Sequence, residues 1–260
     1  MSSQKKYKLN RLLSDFPPGA LATQQWLSTK GIYRQLANRY LKSGWLEHFG
    51  RGVYVRSGST PEWFGGVYAL QSQLDLPVHV GAYTSLNLKG MGHYLALEKE
   101  KTVFLFSNGV SHLPSWFTTH NWEVKVKYCS PSLFTGMIPD SSTTVEIKGL
   151  PIIISSLERA MFEVLYLTGS NEDIDYSFQL MESLMTLRPE LVQLLLENCT
   201  NIKVKRLFLW MGKTIGHSWF KELDVTKINI GKGKRMLYRG GTLDPEYLIT
   251  VPKTEAIPNV

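Results

Sequence analysis

Arg34, Gln35, Asn38, Arg39 and Lys42 are the residues of this chain whose types and spacing most directly suggest chemistry. At 3.6 residues per turn they share one arc of a helix spanning about Tyr33 to Ser43, while Leu36, Ala37, Tyr40 and Leu41 fall on the other. The outer arc contains no acid. Arginine can bond guanine through two donors, Asn and Gln can do the same for adenine, and Lys neutralises phosphate, so the arc carries what a helix in a DNA major groove needs. Arg51, in the Gly50-Arg51-Gly52 turn, is placed to reach phosphate or the minor groove, and His48, Lys5, Lys6 and Lys8 are further candidates for phosphate contact. Double-stranded RNA fits less well, because its deep major groove excludes a helix.

Motifs for other chemistry are incomplete. Gly212-Lys213-Thr214 lacks the earlier glycine of a phosphate-binding loop, since position 207 is Leu. The histidines 48, 79, 93, 112, 120 and 217 show no metal-ligand spacing with one another or with Cys129 and Cys199, so neither a metal nor a cofactor is expected. Glu158-Arg159 suits two separate salt bridges better than an acid/base pair, and Glu172, Asp173 and Asp175 suit a helix N-terminus. Lys203, Lys205, Arg206, Lys213, Lys232, Lys234 and Arg235 form a second basic block. Three uses are open to it: shielding the acidic middle of the chain, facing an acidic protein, or facing a polyanion.

The elements that would position these groups follow from capping and periodicity. A first helix from Lys8 to Ser14 is stopped by Pro17-Pro18-Gly19; Thr23 caps a second, Gln24 to Lys30, ending at Gly31. After the third helix, Trp45 to Phe49 and Val53 to Arg56 read as a hairpin, so residues 1–60 are expected to be a winged helix-turn-helix domain. Arg56-Ser57-Gly58-Ser59-Thr60-Pro61 marks its edge, and residues 61–260 are expected to form a larger α+β domain. That domain starts with a helix over Glu62 to Leu74, a strand over Val78 to Val80, and a helix over Ala82 to Lys89. Strands are expected at Thr102 to Phe106, Glu123 to Tyr128 and Thr143 to Ser155, the last broken at Gly149-Leu150-Pro151. A helical portion follows Ser156 and includes Asp173 to Leu187, Pro189 to Cys199 and Lys203 to Ile215. A small sheet ends the chain, from Lys227 to Ile230, Lys234 to Tyr238 and Tyr247 to Val251.

Charge follows the same division. Residues 1–60 carry a net +8, residues 61–200 a net −7 and residues 201–260 a net +6. Two cysteines give no disulfide framework, the N-terminus leads into no apolar run, and no stretch is long and apolar enough for a membrane span, so a cytoplasmic protein is expected. Three function classes remain from the residues alone: a DNA-binding regulator, a nuclease or nucleotidyltransferase delivered to DNA by a winged helix, and a winged-helix adaptor that binds proteins.

Over nearly its whole length the sequence also resembles the abortive-infection AbiEi-type antitoxins. The resemblance runs through Leu9-Asn10-Arg11-Leu12-Leu13, Pro17-Pro18-Gly19, Trp26-Leu27, Gly31-Ile32, Arg34 to Leu46 and Gly50-Arg51-Gly52-Val53-Tyr54-Val55. It continues in Leu76-Pro77-Val78-His79-Val80-Gly81, Leu113-Pro114-Ser115-Trp116-Phe117, Ile154 to Ala160, Leu187-Arg188-Pro189, Lys203 to Phe208 and Ile249-Thr250-Val251-Pro252. Tyr33 departs from it, standing where the family pattern has a small capping residue or proline. The resemblance implies a non-catalytic protein with two jobs. It would repress its own operon by binding inverted repeats in operator DNA, and counteract a cognate nucleotidyltransferase-like toxin without requiring a stable complex with it. A monomer acting singly on each half-site is expected.

Overall fold

The computed structural model describes Leu12, Phe16 and residues 19–91, 101–109 and 112–253. The fold is mixed α+β. In chain order its elements are β1 (Ala22–Thr23), α1 (Gln24–Thr29), α2 (Arg34–Lys42), β2 (Leu46–Gly50), β3 (Val53–Arg56), α3 (Trp63–Tyr68), β4 (Val78–Val80) and α4 (Ala82–Leu86). Next come β5 (Thr102–Ser107), α5 (Ser115–Thr118), β6 (Lys125–Cys129), β7 (Ser142–Ile147), β8 (Leu150–Ser155), α6 (Leu157–Leu167), α7 (Asn171–Ser183), α8 (Pro189–Asn198), α9 (Ile202–Ile215), β9 (Thr242–Asp244) and β10 (Ile249–Val251). Among the described residues the strands make three sheets, ordered β1-β3-β2, β6-β5-β4-β8-β7 and β10-β9. The first expected helix lies outside the described residues except for Leu12, which is helical and buried.

Two compact units divide the chain. One comprises Met1–His79, Leu105–Ser130 and Thr144–Ile153, and the other Val80–Phe104, Pro131–Thr143 and Ile154–Val260. The first unit therefore runs past the Arg56–Pro61 turn, where the sequence suggested a domain edge. Its local hydrogen bonds give the reason. The Gln73 side chain accepts from Thr23 N at 2.7 Å and donates to Leu21 O at 2.7 Å, doing for β1 what a neighbouring strand would do. The Gln71 amide does likewise for the chain at Ile153, donating to its carbonyl and accepting from its N–H, both at 2.9 Å. The helix carrying both glutamines is α over Trp63–Tyr68 and widens into a π-turn over Ala69–Gln73. At its start, Gly65 lies so near the Gly19 carbonyl that a Cβ would stand 1.9 Å from that oxygen.

In the second unit, side chains close the helices in the way their sequences suggest: Ser156 caps α6, Ser170 and Asp173 form a reciprocal capping box on α7, and Asn201 caps α9. Gly216, at φ 79°, ends α9 in the left-handed conformation. Glu163, 1% exposed, accepts from Ala82 N at 2.9 Å, Ser155 Oγ at 2.8 Å and Arg159 Nε at 3.0 Å, so this buried carboxylate is fully engaged.

The C-terminal strands differ from expectation. Lys227 to Ile230 and Lys234 to Tyr238 do not form strands; a short 3₁₀ turn covers Val225–Lys227, and Arg235 makes an isolated bridge to Ile249. The carbonyls of Asn229, Ile230 and Gly233 are taken instead by the side chains of Lys205 and Arg206. We predict that Gly65→Ala destabilises the chain by about 2–4 kcal/mol, because the close backbone approach leaves no room for a methyl group. A urea titration followed by circular dichroism checks this through a lowered midpoint at unchanged slope.

Candidate nucleic-acid interface

Helix α2 divides its residues cleanly between inside and outside. Ala37 and Tyr40 are fully buried and Leu36 and Leu41 half-buried, whereas Arg34, Gln35, Asn38, Arg39 and Lys42 are all exposed. No acid lies in its first turn, and among the described residues none of Arg34, Arg39 and Lys42 forms an ion pair. Arg39 and Lys42 fall in the last turn, where cations complement the helix dipole. Ser43 and Gly44, the latter at φ 70°, end the helix and turn the chain into β2.

The hairpin β2–β3 pairs antiparallel, with Leu46 opposite Arg56 and His48 opposite Tyr54, and a bulge between His48 and Gly50. Arg51 is exposed in the turn and His48 on the strand. One side chain ties this hairpin to the approach to α2. Gln24 Oε1 accepts from Tyr54 Oη at 3.1 Å, its Nε2 donates to Ile32 O at 3.1 Å, and its backbone N–H donates to Gly52 O at 2.7 Å. Glu47, the hairpin's one acid, is occupied by Ser57 Oγ and Gly58 N.

Aromatic packing holds the hairpin's other side. The Phe49 ring lies 4.5 Å from His120, 5.6 Å from Trp122 and 6.1 Å from Trp116, centroid to centroid. A Cβ on Gly50 would stand 2.6 Å from Trp116 Cβ. Burial lowers the His120 imidazole pKa below its ordinary value. Gln24, Phe49, Trp116, His120 and Trp122 thus position the candidate interface, although its sequence pattern does not single them out. Only the density of aromatic residues around 116–122 hints at them.

Lys5, Lys6 and Lys8 lie outside the described residues. The second basic block is not one surface. Lys205 and Arg206 are 4% and 0% exposed: Lys205 Nζ donates to Asn229 O at 3.2 Å, and Arg206 donates to the carbonyls of Ile230 at 2.8 Å, Gly233 at 2.7 Å and Leu248 at 3.1 Å. Lys203 donates to Tyr166 O at 3.0 Å and Thr168 O at 2.7 Å, and Lys213 pairs with Glu246. These four cations serve the fold. Lys232, Lys234 and Arg235 remain exposed.

The residues weighed for catalysis are likewise engaged. Glu158 accepts from Arg188 Nε at 2.9 Å and Nη2 at 3.0 Å, while Arg159 bonds Glu163 instead. Burial opposes the Glu158 charge, but the bonds from Arg188 outweigh it and lower the carboxyl pKa. A cleft of about 390 Å³ is lined by this pair together with Lys89, Ser142, Thr143 and Thr186. Among the described residues no group of three His, Cys, Asp or Glu side chains could hold a metal ion, and no helix is long and apolar enough to cross a membrane.

Comparison with known proteins agrees with an α+β regulator. Residues 5–97 match the family described as transcriptional regulator, AbiEi antitoxin N-terminal domain, and residues 100–252 match transcriptional regulator, AbiEi antitoxin, type IV TA system. The class is that of antitoxin-type transcriptional regulators. The chain belongs to the AbiEi antitoxin family of type IV toxin–antitoxin systems. Its fold is similar to the crystal structure of the RV2827C protein from Mycobacterium tuberculosis, with 12% sequence identity, a TM-score of 0.58, and coverage of 95% of this chain and 90% of that one. No curated protein matches the chain.

The aromatic clamp on the hairpin has a pH signature. The unfolded chain takes up a proton on His120 near pH 6.5, and the folded chain only at lower pH. Stability from this group is therefore complete above that value and is lost as pH falls through and below it. Between about pH 7.5 and about pH 5 the unfolding midpoint is expected to drop, and His120→Phe, which keeps a ring between Phe49 and Trp122, is expected to flatten the drop.

Proposed function

We propose that this chain is an autorepressing antitoxin whose helix α2 and β2–β3 hairpin form a winged helix-turn-helix that binds inverted repeats in operator DNA. The observation that carries this reading is the outer arc of α2, five exposed cationic or amide side chains with no acid among them. Laid in a major groove, the arc brings Arg34, Gln35, Asn38 and Arg39 to base edges. Lys42 and Arg51, aided by Lys5, Lys6 and Lys8, hold phosphates, while His48 on the hairpin strand faces the backbone beside the groove.

The hydrogen bonds and ring contacts that fix the hairpin support the reading, because a rigid wing loses little freedom on binding. The second job is to counteract a nucleotidyltransferase-like toxin. It acts there by recognition and not by turnover, with Lys232, Lys234 and Arg235 as the cations of the second block left outward for a toxin or polyanion. The protein works in the cytoplasm as a monomer, one copy on each half-site.

Arg34→Ala with Arg39→Ala is expected to abolish the shift of a duplex drawn from the chain's own promoter while leaving circular dichroism unchanged. Unchanged affinity would remove α2 from the interface. Phosphate contacts release counterions, so affinity should fall linearly on a log–log plot against salt. Lys42→Ala with Arg51→Ala should reduce that slope by about 2, since each neutralised phosphate contributes about 0.9.

A further inference from the structure

Tyr33 is the residue at this site that phosphate and hydrogen-bond chemistry leave unexplained. It occupies the N-cap of α2 in an extended conformation, φ −72° and ψ 165°, and its side chain makes no capping bond. Thr23, Ser156, Ser170 and Asn201 cap their helices through side-chain oxygens, whereas Glu62, Gly81, Pro114 and Arg188, like Tyr33, make no side-chain capping bond. Tyr33 is also 64% exposed, a large ring left in water at the end of the helix that carries Arg34 and Gln35 as its first two residues. An exposed ring there has lost the capping function without gaining a place in the core.

The N-terminal end of a helix in the major groove is the part that reaches base edges. The apolar feature of that groove is the C5-methyl group of thymine, which protein groups recognise by contact and not by hydrogen bonding. We infer that Tyr33 is a specificity determinant whose ring covers a thymine methyl in the base pair adjoining those read by Arg34 and Gln35. The inference rests on the operator-binding reading and adds to it a required A·T pair in each half-site.

Deoxyuridine differs from thymidine only by that methyl group, so replacing thymines one at a time in the promoter duplex isolates the contact. The wild-type chain is expected to lose about fourfold in affinity at one position per half-site, the value of one buried methyl group. Tyr33→Ala should bind unmodified duplex more weakly and show no further loss at that position, while Tyr33→Phe should keep both the affinity and the loss. Three results would each overturn the assignment: no sensitive position in the wild type, a sensitive position that persists in Tyr33→Ala, or a Tyr33→Phe variant as weak as Tyr33→Ala, which would mean that the hydroxyl bonds a phosphate. Folded wild-type protein that binds no promoter duplex would sink the operator reading with it, whereas strong binding that is indifferent to every deoxyuridine would sink this inference alone.

Discussion

The seating of Phe49 among Trp116, His120 and Trp122 is the contact on which the β2–β3 hairpin beside α2 depends. A two-stranded hairpin is marginally stable by itself in water; this one gains only the two-residue β1 as a third strand, and a bulge at His48–Gly50 loosens its ladder. The rings take up the difference, and Gly50 lets the hairpin come close because any side chain there would meet Trp116. From the other side Gln24 holds Tyr54 and Ile32 in one hydrogen-bond chain. The hairpin and the approach to α2 are thus fixed by the same residues, so a displacement of one is felt by the other. The first compact unit accordingly includes Leu105–Ser130, which carries Trp116, His120 and Trp122.

Positive charge is put to two different uses along the chain. On α2 the cations stand in water without acids, a state that costs little and leaves them free for another polyanion. On α9 they point inward. Among the described residues Lys205 and Arg206 form no ion pair with a carboxylate and donate to carbonyls instead, which binds the 229–233 segment through charge-assisted hydrogen bonds in place of a ladder, although Arg206 Nη2 finds no partner. Burial lowers the pKa of both groups from ordinary values, Arg206 also by proximity to Arg235. The arginine stays charged nonetheless, since its ordinary value lies so far above neutrality.

What could be read from the sequence follows the range of the interactions involved. Helix α2 and the β2–β3 hairpin were legible because their signals are local: a 3.6-residue alternation from Leu36 to Leu41, and glycines at 44, 50 and 52 where the chain turns. The caps at Thr23 and Ser156 were legible for the same reason. The Lys227–Ile230 and Lys234–Tyr238 segments alternate as strands do, yet the side chains that claim the carbonyls of Asn229 and Ile230 lie on a helix more than twenty residues earlier, and Leu237 and Tyr238 donate to the Thr250 side chain. The division at residue 60 rested on a real turn, but Gln71 and Gln73 carry the unit beyond it through bonds that no window of sequence contains. Of the second basic block, Lys205 and Arg206 are buried, which linear order could not show because it says nothing about which side of a helix is covered.

The central claim is that the outer arc of α2 and the hairpin turn are where nucleic acid meets this protein. Titrating the isotope-labelled chain with promoter duplex while following backbone amide resonances by NMR tests it directly. The account predicts that the amides of Arg34–Lys42 and Gly50–Gly52 shift first and furthest. Shifts confined to the second unit, with α2 and the hairpin unmoved, would contradict it.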